Sequence, residues 1–328
     1  MFLVTGGAGF IGSNIVEALE ERRLGKVAVC DRLGSGDKRR NIAKRDLADI
    51  VEPERLFEFL GDNGADIEAV IHMGAVSDTT APENDHLRDT NVRLPTALWS
   101  WCAGHRVRFL YASSAATYGD GGQGFDDDGA PDALARLRPL NPYARSKHRF
   151  DLEVARMVAA GEPRPPRWAG LKFFNVYGPN EDHKGGQKSV VAQIYPRAAA
   201  GEAARLFKSH HPDYADGGQL RDFIWVGDCV DVVLWLLAHD TVDGLFNCGT
   251  GEARSFADLA AAVYRALGAE PRIEYIPTPE AIRDRYQYFT EADMSRLRAA
   301  GYDQTFTTLE DGVGAYVKGF LNTDDRYR

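Results

Sequence analysis

The chain has 328 residues, 44% of them hydrophobic, 10% aromatic and 27% charged, a balance that fills cores for about two domains of roughly 100–200 residues each. Bulk disorder is excluded. Its formal net charge is −9, which excludes a scaffold that grips nucleic acid by bulk positive charge, so any phosphate must be held locally.

The first predicted element is a strand over Phe2–Thr5, which runs directly into Gly6-Gly7-Ala8-Gly9-Phe10-Ile11-Gly12 and a helix over Ser13–Glu21. Glycines at this GxxGxxG spacing permit a sharp turn and a close backbone approach to a pyrophosphate. The helix N-terminus then offers free N–H groups to the anion. A second strand, Val27–Asp31, ends in an acid placed to hydrogen-bond an adenosine ribose, so the segment reads as a dinucleotide site. Asp31 by itself favours NAD, because its charge repels a 2′-phosphate. Arg32, Lys38, Arg39 and Arg40 follow at once and favour NADP, which is the expected cofactor with NAD as the alternative.

Further strands are expected at Ala69–Met73 and Arg108–Ser113, with helical segments between them. Alternation of this kind gives an α/β fold, a Rossmann doubly wound parallel sheet. The strand at Arg108–Ser113 leads to Ser114, and Asn141-Pro142 is an N-cap and first-turn proline for a helix that closes near Gly161. That helix carries Tyr143 and Lys147 at i and i+4, hence on one face. An ammonium beside a phenol stabilises the phenolate, as a general base for an alcohol requires, and Ser114 would hold the same hydroxyl.

A strand at Leu171–Asn175 comes next. Loop-rich stretches over Pro179–Gln187 and Ser209–Gln219 follow, then a helix at Val230–Ala238, a strand at Leu245–Asn247, and helices at Ser255–Leu267 and Leu309–Leu321. The expected organisation is a cofactor-binding domain over residues 1–174, to which 222–250 return, and a smaller C-terminal substrate-binding cap from 175–221 and 251–328. Cys30, Cys102, Cys229 and Cys248 lack CxxC spacing and read as buried thiols of a reducing compartment. No metal site is expected, His210-His211 included. The opening residues carry no basic stretch and no apolar run reaches the roughly 18 residues of a membrane span, so a cytoplasmic protein without a membrane or nucleic-acid partner is expected.

Together these residues resemble the extended short-chain dehydrogenase/reductase family, whose members act mostly on nucleotide sugars. The resemblance covers nearly the whole chain. It implies cofactor contacts from Gly6, Gly9, Phe10, Ile11, Gly12, Asp31, Arg32 and Lys38, an adenine contact from Asp46-Leu47, and further contacts from Met73, Gly74, Ala75 and Asn91. It also implies a catalytic triad of Ser114, Tyr143 and Lys147. Arg221-Asp222-Phe223 is similar to a family signature whose arginine contacts the substrate diphosphate.

The phrase Asn175-Val176-Tyr177-Gly178-Pro179, followed by His183-Lys184-Gly185, is similar to the branch that epimerises ADP-linked heptoses at carbon 6 for lipopolysaccharide inner-core precursors. So are Gln287–Asp293 and Leu297–Asp303. That likeness implies Lys184 as a second acid/base, substrate contacts from Ser77, Ser114, Asn175, Lys184, Phe207, Arg221 and Tyr286, and a homo-oligomer built on a pentamer. Two departures stand out: Lys188 is a second cation in the Lys184 loop, and Asp182 is an acidic neighbour. A 4,6-dehydratase is disfavoured because Ala115-Ala116 follow Ser114 where that branch carries an Asp-Glu pair. Another nucleotide-sugar epimerase or reductase, or a non-catalytic nucleotide sensor on the same fold, is the alternative.

Overall fold

The computed structural model describes residues 1–34, 36–283 and 286–328. Its strands are β1 (Phe2–Thr5), β2 (Val27–Cys30), β3 (Asp49–Val51), β4 (Ala69–His72), β5 (Arg108–Ser114), β6 (Trp168–Phe173), β7 (Asn175–Tyr177), β8 (Ala204–Phe207), β9 (Leu220–Trp225), β10 (Gly244–Cys248), β11 (Ala253–Ser255) and β12 (Ile273–Ile276). Seven of them form one parallel sheet in the order β10-β6-β5-β4-β1-β2-β3. The order runs outward in both directions from the β1/β4 pair, and a crevice opens outside the carboxyl ends of strands at such a switch. Smaller sheets join β11-β9-β7 and β12-β8.

Two hydrophobic cores result. The first lies on both faces of the large sheet and includes Leu3, Ile15, Val29, Ile71, Phe109, Leu171, Val233 and Phe246. The helix Phe10–Glu21 packs there against Val226–Ala238, so residues after 225 do return to the sheet, and β10 closes its edge. Ala292, Met294, Leu297 and Tyr302, expected with the cap, also pack into this first core. The second core gathers Tyr177, Val191, Ile194, Leu206, Phe223, Leu259, Val263, Val313 and Val317. All four cysteines are free and buried.

Several boundaries differ from expectation, for local reasons. The strand expected at Leu171 begins at Trp168 and stops at Phe173; β7 is a separate strand in another sheet. Gly170 and Lys172 look like interruptions in sequence, yet a Cβ at Gly170 would stand 2.4 Å from the Tyr111 ring, and Lys172 is fully buried in an ion pair. The helix expected at Val230 starts at Val226 directly after β9. A further strand runs over Ala204–Phe207, and Ser209 N–H donates to Asp216 Oδ1 at 2.8 Å where the chain turns into the expected loop. Asn141 does cap the helix Pro142–Ala159, accepting from Ala144 N–H at 2.8 Å.

Candidate active site

The glycine turn is built as its spacing demands. Gly6 has φ +67°, and a Cβ there would lie 2.4 Å from Gly74 N; a Cβ at Gly12 would lie 2.2 Å from Gly6 O. Side chains are therefore excluded where the turn meets the Met73–Ala75 segment and the helix start. Gly9 is the N-cap and supplies no side-chain cap, which leaves the first-turn N–H groups of a twelve-residue helix free for an anion. Asp31 follows β2, accepts from Ala8 N–H at 3.0 Å and pairs with Lys38 at 2.5 Å. These groups line one cleft of about 1080 Å³ together with Met73, Gly74, Ala75, Ser77, Ser114, Tyr143, Lys147, Asn175 and Lys184. A cradle that only glycine fits, an uncapped helix start and a ribose-level carboxylate suit a dinucleotide.

Arg32 also borders the cleft, but its guanidinium pairs with Glu54. Asp46-Leu47 corrects the sequence reading. Both precede β3 and lie at the sheet's amino edge, where Asp46 N–H donates to Glu20 Oε1 at 2.6 Å, and neither borders the cleft. The acids at the carboxyl end of β3 are Glu52 and Glu54, of which Glu54 borders it. Asn91 is likewise spent within the protein. Its amide donates to Val76 O at 2.9 Å and Ser146 Oγ at 2.9 Å and accepts from Val76 N–H at 2.8 Å. It steadies the loop and helix that flank the cleft without itself reaching the cleft wall.

Ser114 at the end of β5 and Tyr143 on the helix Pro142–Ala159 line the same cleft wall. Burial raises the Tyr143 phenol above the ordinary tyrosine range, and the Ser114 hydroxyl acts against that rise. Lys147 donates to Ala112 O at 2.8 Å, and burial brings its ammonium down to about 8 although Asp151 opposes the fall. His72, bonded to Thr5 Oγ1 at 2.6 Å, is pushed down to about 3 by burial and by Lys147, so the imidazole is neutral.

Lys184 lies with its ammonium 5.0 Å from the Phe10 ring centroid, and burial lowers it below the usual lysine range. Lys188 is paired with Asp182 at 3.1 Å. His183 sits at the same wall, its Nδ1 3.2 Å from Asn41 Nδ2; Asn41 also donates to Ala8 O at 2.8 Å and Asn180 O at 3.0 Å. Asn41 thus joins the glycine turn to the Lys184 loop, a link between residues 139 positions apart that no local pattern signals.

Phe207, Arg221 and Tyr286 come together away from these walls. Arg221 lies between the Phe256 and Tyr286 rings at 5.6 Å from each and donates to Leu220 O at 2.7 Å and to Gln287 O. Tyr286 is edge-on to Phe207 at 6.1 Å and to Tyr288 at 5.3 Å. Asp222 is not its neighbour's counter-ion: it accepts from Thr250 N–H, Gly251 N–H and Ala292 N–H at 2.7–3.0 Å. Among the described residues no group of three or more His, Cys, Asp or Glu could hold a metal ion, and no helix is long and apolar enough to cross a membrane.

A parallel sheet with this turn and this Ser-Tyr-Lys set has the arrangement of a nicotinamide-dependent enzyme. The model of the NAD dependent epimerase/dehydratase family matches residues 2–249, and the chain belongs to that family. Over all of both chains it is 49% identical to an ADP-L-glycero-D-manno-heptose-6-epimerase of Nitratidesulfovibrio vulgaris (strain DP4) and 43% identical to one of Fusobacterium nucleatum. The solved ADP-L-glycero-D-manno-heptose-6-epimerase of Helicobacter pylori is similar with TM-score 0.77 at 26% identity, covering 97% of this chain and 95% of that one. The UDP-glucose 4-epimerase of Thermus thermophilus, solved with NAD, is similar with TM-score 0.75 at 26% identity and 97% coverage of each.

Proposed function

We propose that the protein epimerises ADP-D-glycero-D-manno-heptose at carbon 6 to the L-glycero form. The observation that carries this reading is the convergence on one cleft of Ser114, Tyr143 and Lys147 with a second, half-buried cation, Lys184, from a separate loop. With its pyrophosphate held by the glycine turn, a nicotinamide cofactor would supply the hydride acceptor and donor for oxidising the alcohol to a ketone and reducing it back. Inverting an alcohol places its oxygen in two positions, so a second proton-transfer group helps. Tyr143 takes or returns the proton in one orientation and Lys184 in the other. Lys147 stabilises the phenolate, and Ser114 orients the hydroxyl. Ser77 and Asn175 contact the sugar, while Arg221 clamps the diphosphate beside the Phe207 and Tyr286 rings.

Incubation of the purified protein with ADP-D-glycero-D-manno-heptose and resolution of the two epimers tests this directly. Conversion is expected; turnover of a different nucleotide sugar alone would overturn the substrate assignment. We further propose NADP as the preferred cofactor, with Arg32 leaving Glu54, and Lys38 leaving Asp31, to meet the 2′-phosphate. An exposed pair such as Arg32–Glu54 is screened by water and yields readily to a phosphate. Arg32→Ala is expected to weaken NADP binding about tenfold and NAD binding little. Equal losses for both, in a titration of the two cofactors, would remove the case for NADP. The family resemblance also carries a homo-oligomer, which light scattering reads directly.

A further inference from the structure

Directly behind the Ser-Tyr-Lys set lies a second charged group that the reaction itself does not use. The helix Pro142–Ala159 bears Asp151 at four residues beyond Lys147 and eight beyond Tyr143, on the same face. Asp151 and Lys172 of β6 are wholly buried and pair at 2.8 Å. Asp151 also accepts from Ser113 Oγ at 2.6 Å and Tyr111 OH at 3.1 Å, both on β5. Lys172 donates to Thr117 Oγ1 at 2.7 Å, and Thr117 Oγ1 donates to Ser114 O at 2.8 Å. One end of the chain of bonds is therefore the helix that carries Tyr143 and Lys147, and the other is the backbone of Ser114.

We propose that the buried Asp151–Lys172 pair is a positioning element of the proton-transfer site, fixing the catalytic helix against β5 and β6 so that Tyr143, Lys147 and Ser114 meet. A buried ion pair is costly to desolvate and is weak evidence of stability for its own sake, since apolar residues of similar volume do as well. Here every polar partner belongs either to the catalytic helix or to the β5 end, which is the geometry that the triad needs. The pair also has an electrostatic consequence. Titratable groups around Lys147 are His72 on β4, Tyr111 on β5, Tyr143, His148 and Asp151 on its own helix, and Lys172 on β6. His72 is neutral, burial and Asp151 hold Tyr111 protonated, and burial lowers His148. Asp151 is the group whose charge opposes the loss of the Lys147 proton. Removing it makes Lys147 discharge at lower pH, so the cation beside Tyr143 is lost earlier as pH rises, and it also withdraws the upward pull of Asp151 on the phenol.

This inference rests on the epimerase reading for its kinetic arm and not for its spectroscopic one. The test compares wild type, Asp151→Asn/Lys172→Met, which removes both charges together, and Thr117→Val, which cuts the link to Ser114 but spares the ion pair. With cofactor bound, the double variant is expected to lose about tenfold in kcat with KM little changed, and its alkaline loss of activity should begin at lower pH. Thr117→Val should lower kcat by a smaller factor. In parallel, the tyrosinate absorbance difference between each background and its Tyr143→Phe counterpart should titrate at lower pH in the double variant, because Asp151 raises the phenol and Lys147 is already discharged where the phenol ionises. A wild-type alkaline limb and an unmoved tyrosinate titration in the double variant, or unchanged kcat in Thr117→Val should the double variant not fold, would overturn the inference. If wild type converts no ADP-heptose but the tyrosinate titration still shifts, the proposed function falls and the positioning role stands.

Discussion

Tyr143→Phe is expected to lower epimerisation about a thousandfold while cofactor binding and the thermal midpoint stay close to wild type, since positioned general acid–base groups contribute roughly 10²–10⁴-fold. The phenol is half-buried, sits against the Ser114 hydroxyl and belongs to a helix whose Lys147 reaches the cleft wall. Loss of one oxygen removes a proton carrier without opening a cavity, so the ring still packs. Burial by itself raises the phenol, which is the wrong direction for a base at neutral pH. The neighbouring cation has to reverse that, and Lys147, at about 8, is mostly charged at pH 7 and mostly discharged above pH 9. Activity should therefore fall as pH rises through that range. Epimer resolution at saturating substrate, with bound cofactor measured in the same sample, checks the claim; a Tyr143→Phe variant within tenfold of wild type would dismiss Tyr143 as the base.

How much of this was legible in the chain follows from how far each partner lies in sequence. The central strands read clearly because their apolar runs are buried on both faces, and Asn141-Pro142 announced its helix by cap chemistry that needs no distant partner. Tyr143 and Lys147 read clearly because i, i+4 spacing fixes a shared face. Asp151 obeys the same spacing, yet its meaning depends on Lys172, which comes from another strand and looks like a break in one. β3 was missed because Asp49-Ile50-Val51 is a short, half-exposed edge strand, and that omission let Asp46-Leu47 pass for the adenine contact, one strand end too early. β9 was hidden by the charges of Arg221 and Asp222, whose burial rests on rings and backbone groups supplied by residues 250–292. Asn91 was assigned to the cofactor, since only the structure shows both ends of its amide engaged within the protein.

The choice between the two loop lysines is the sharpest remaining test of the two-base scheme. Lys184→Ala is expected to cost about a hundredfold in kcat, and Lys188→Ala no more than about threefold. The two cations differ in what holds them. Lys188 is tied to Asp182 in a half-buried pair, so its charge is already answered by a carboxylate. Lys184 forms no ion pair among the described residues; Glu181, the acid whose charge acts on it, already accepts from Ser189 N–H and Ser189 Oγ at 2.5 Å and from Tyr316 OH at 3.0 Å. Its ammonium rests instead near the Phe10 ring, at the glycine turn. Burial lowers its pKa, which brings the proton within reach of exchange with a sugar hydroxyl, whereas a fully solvated lysine would hold it too firmly. The loop is fixed from behind by Asn41 and Asn180, so truncating Lys184 should leave cofactor affinity and fold intact and strike turnover. Steady-state rates of the two alanine variants, measured in both directions of the epimerisation, decide the matter: an active Lys184→Ala beside an inactive Lys188→Ala would transfer the second base to Lys188.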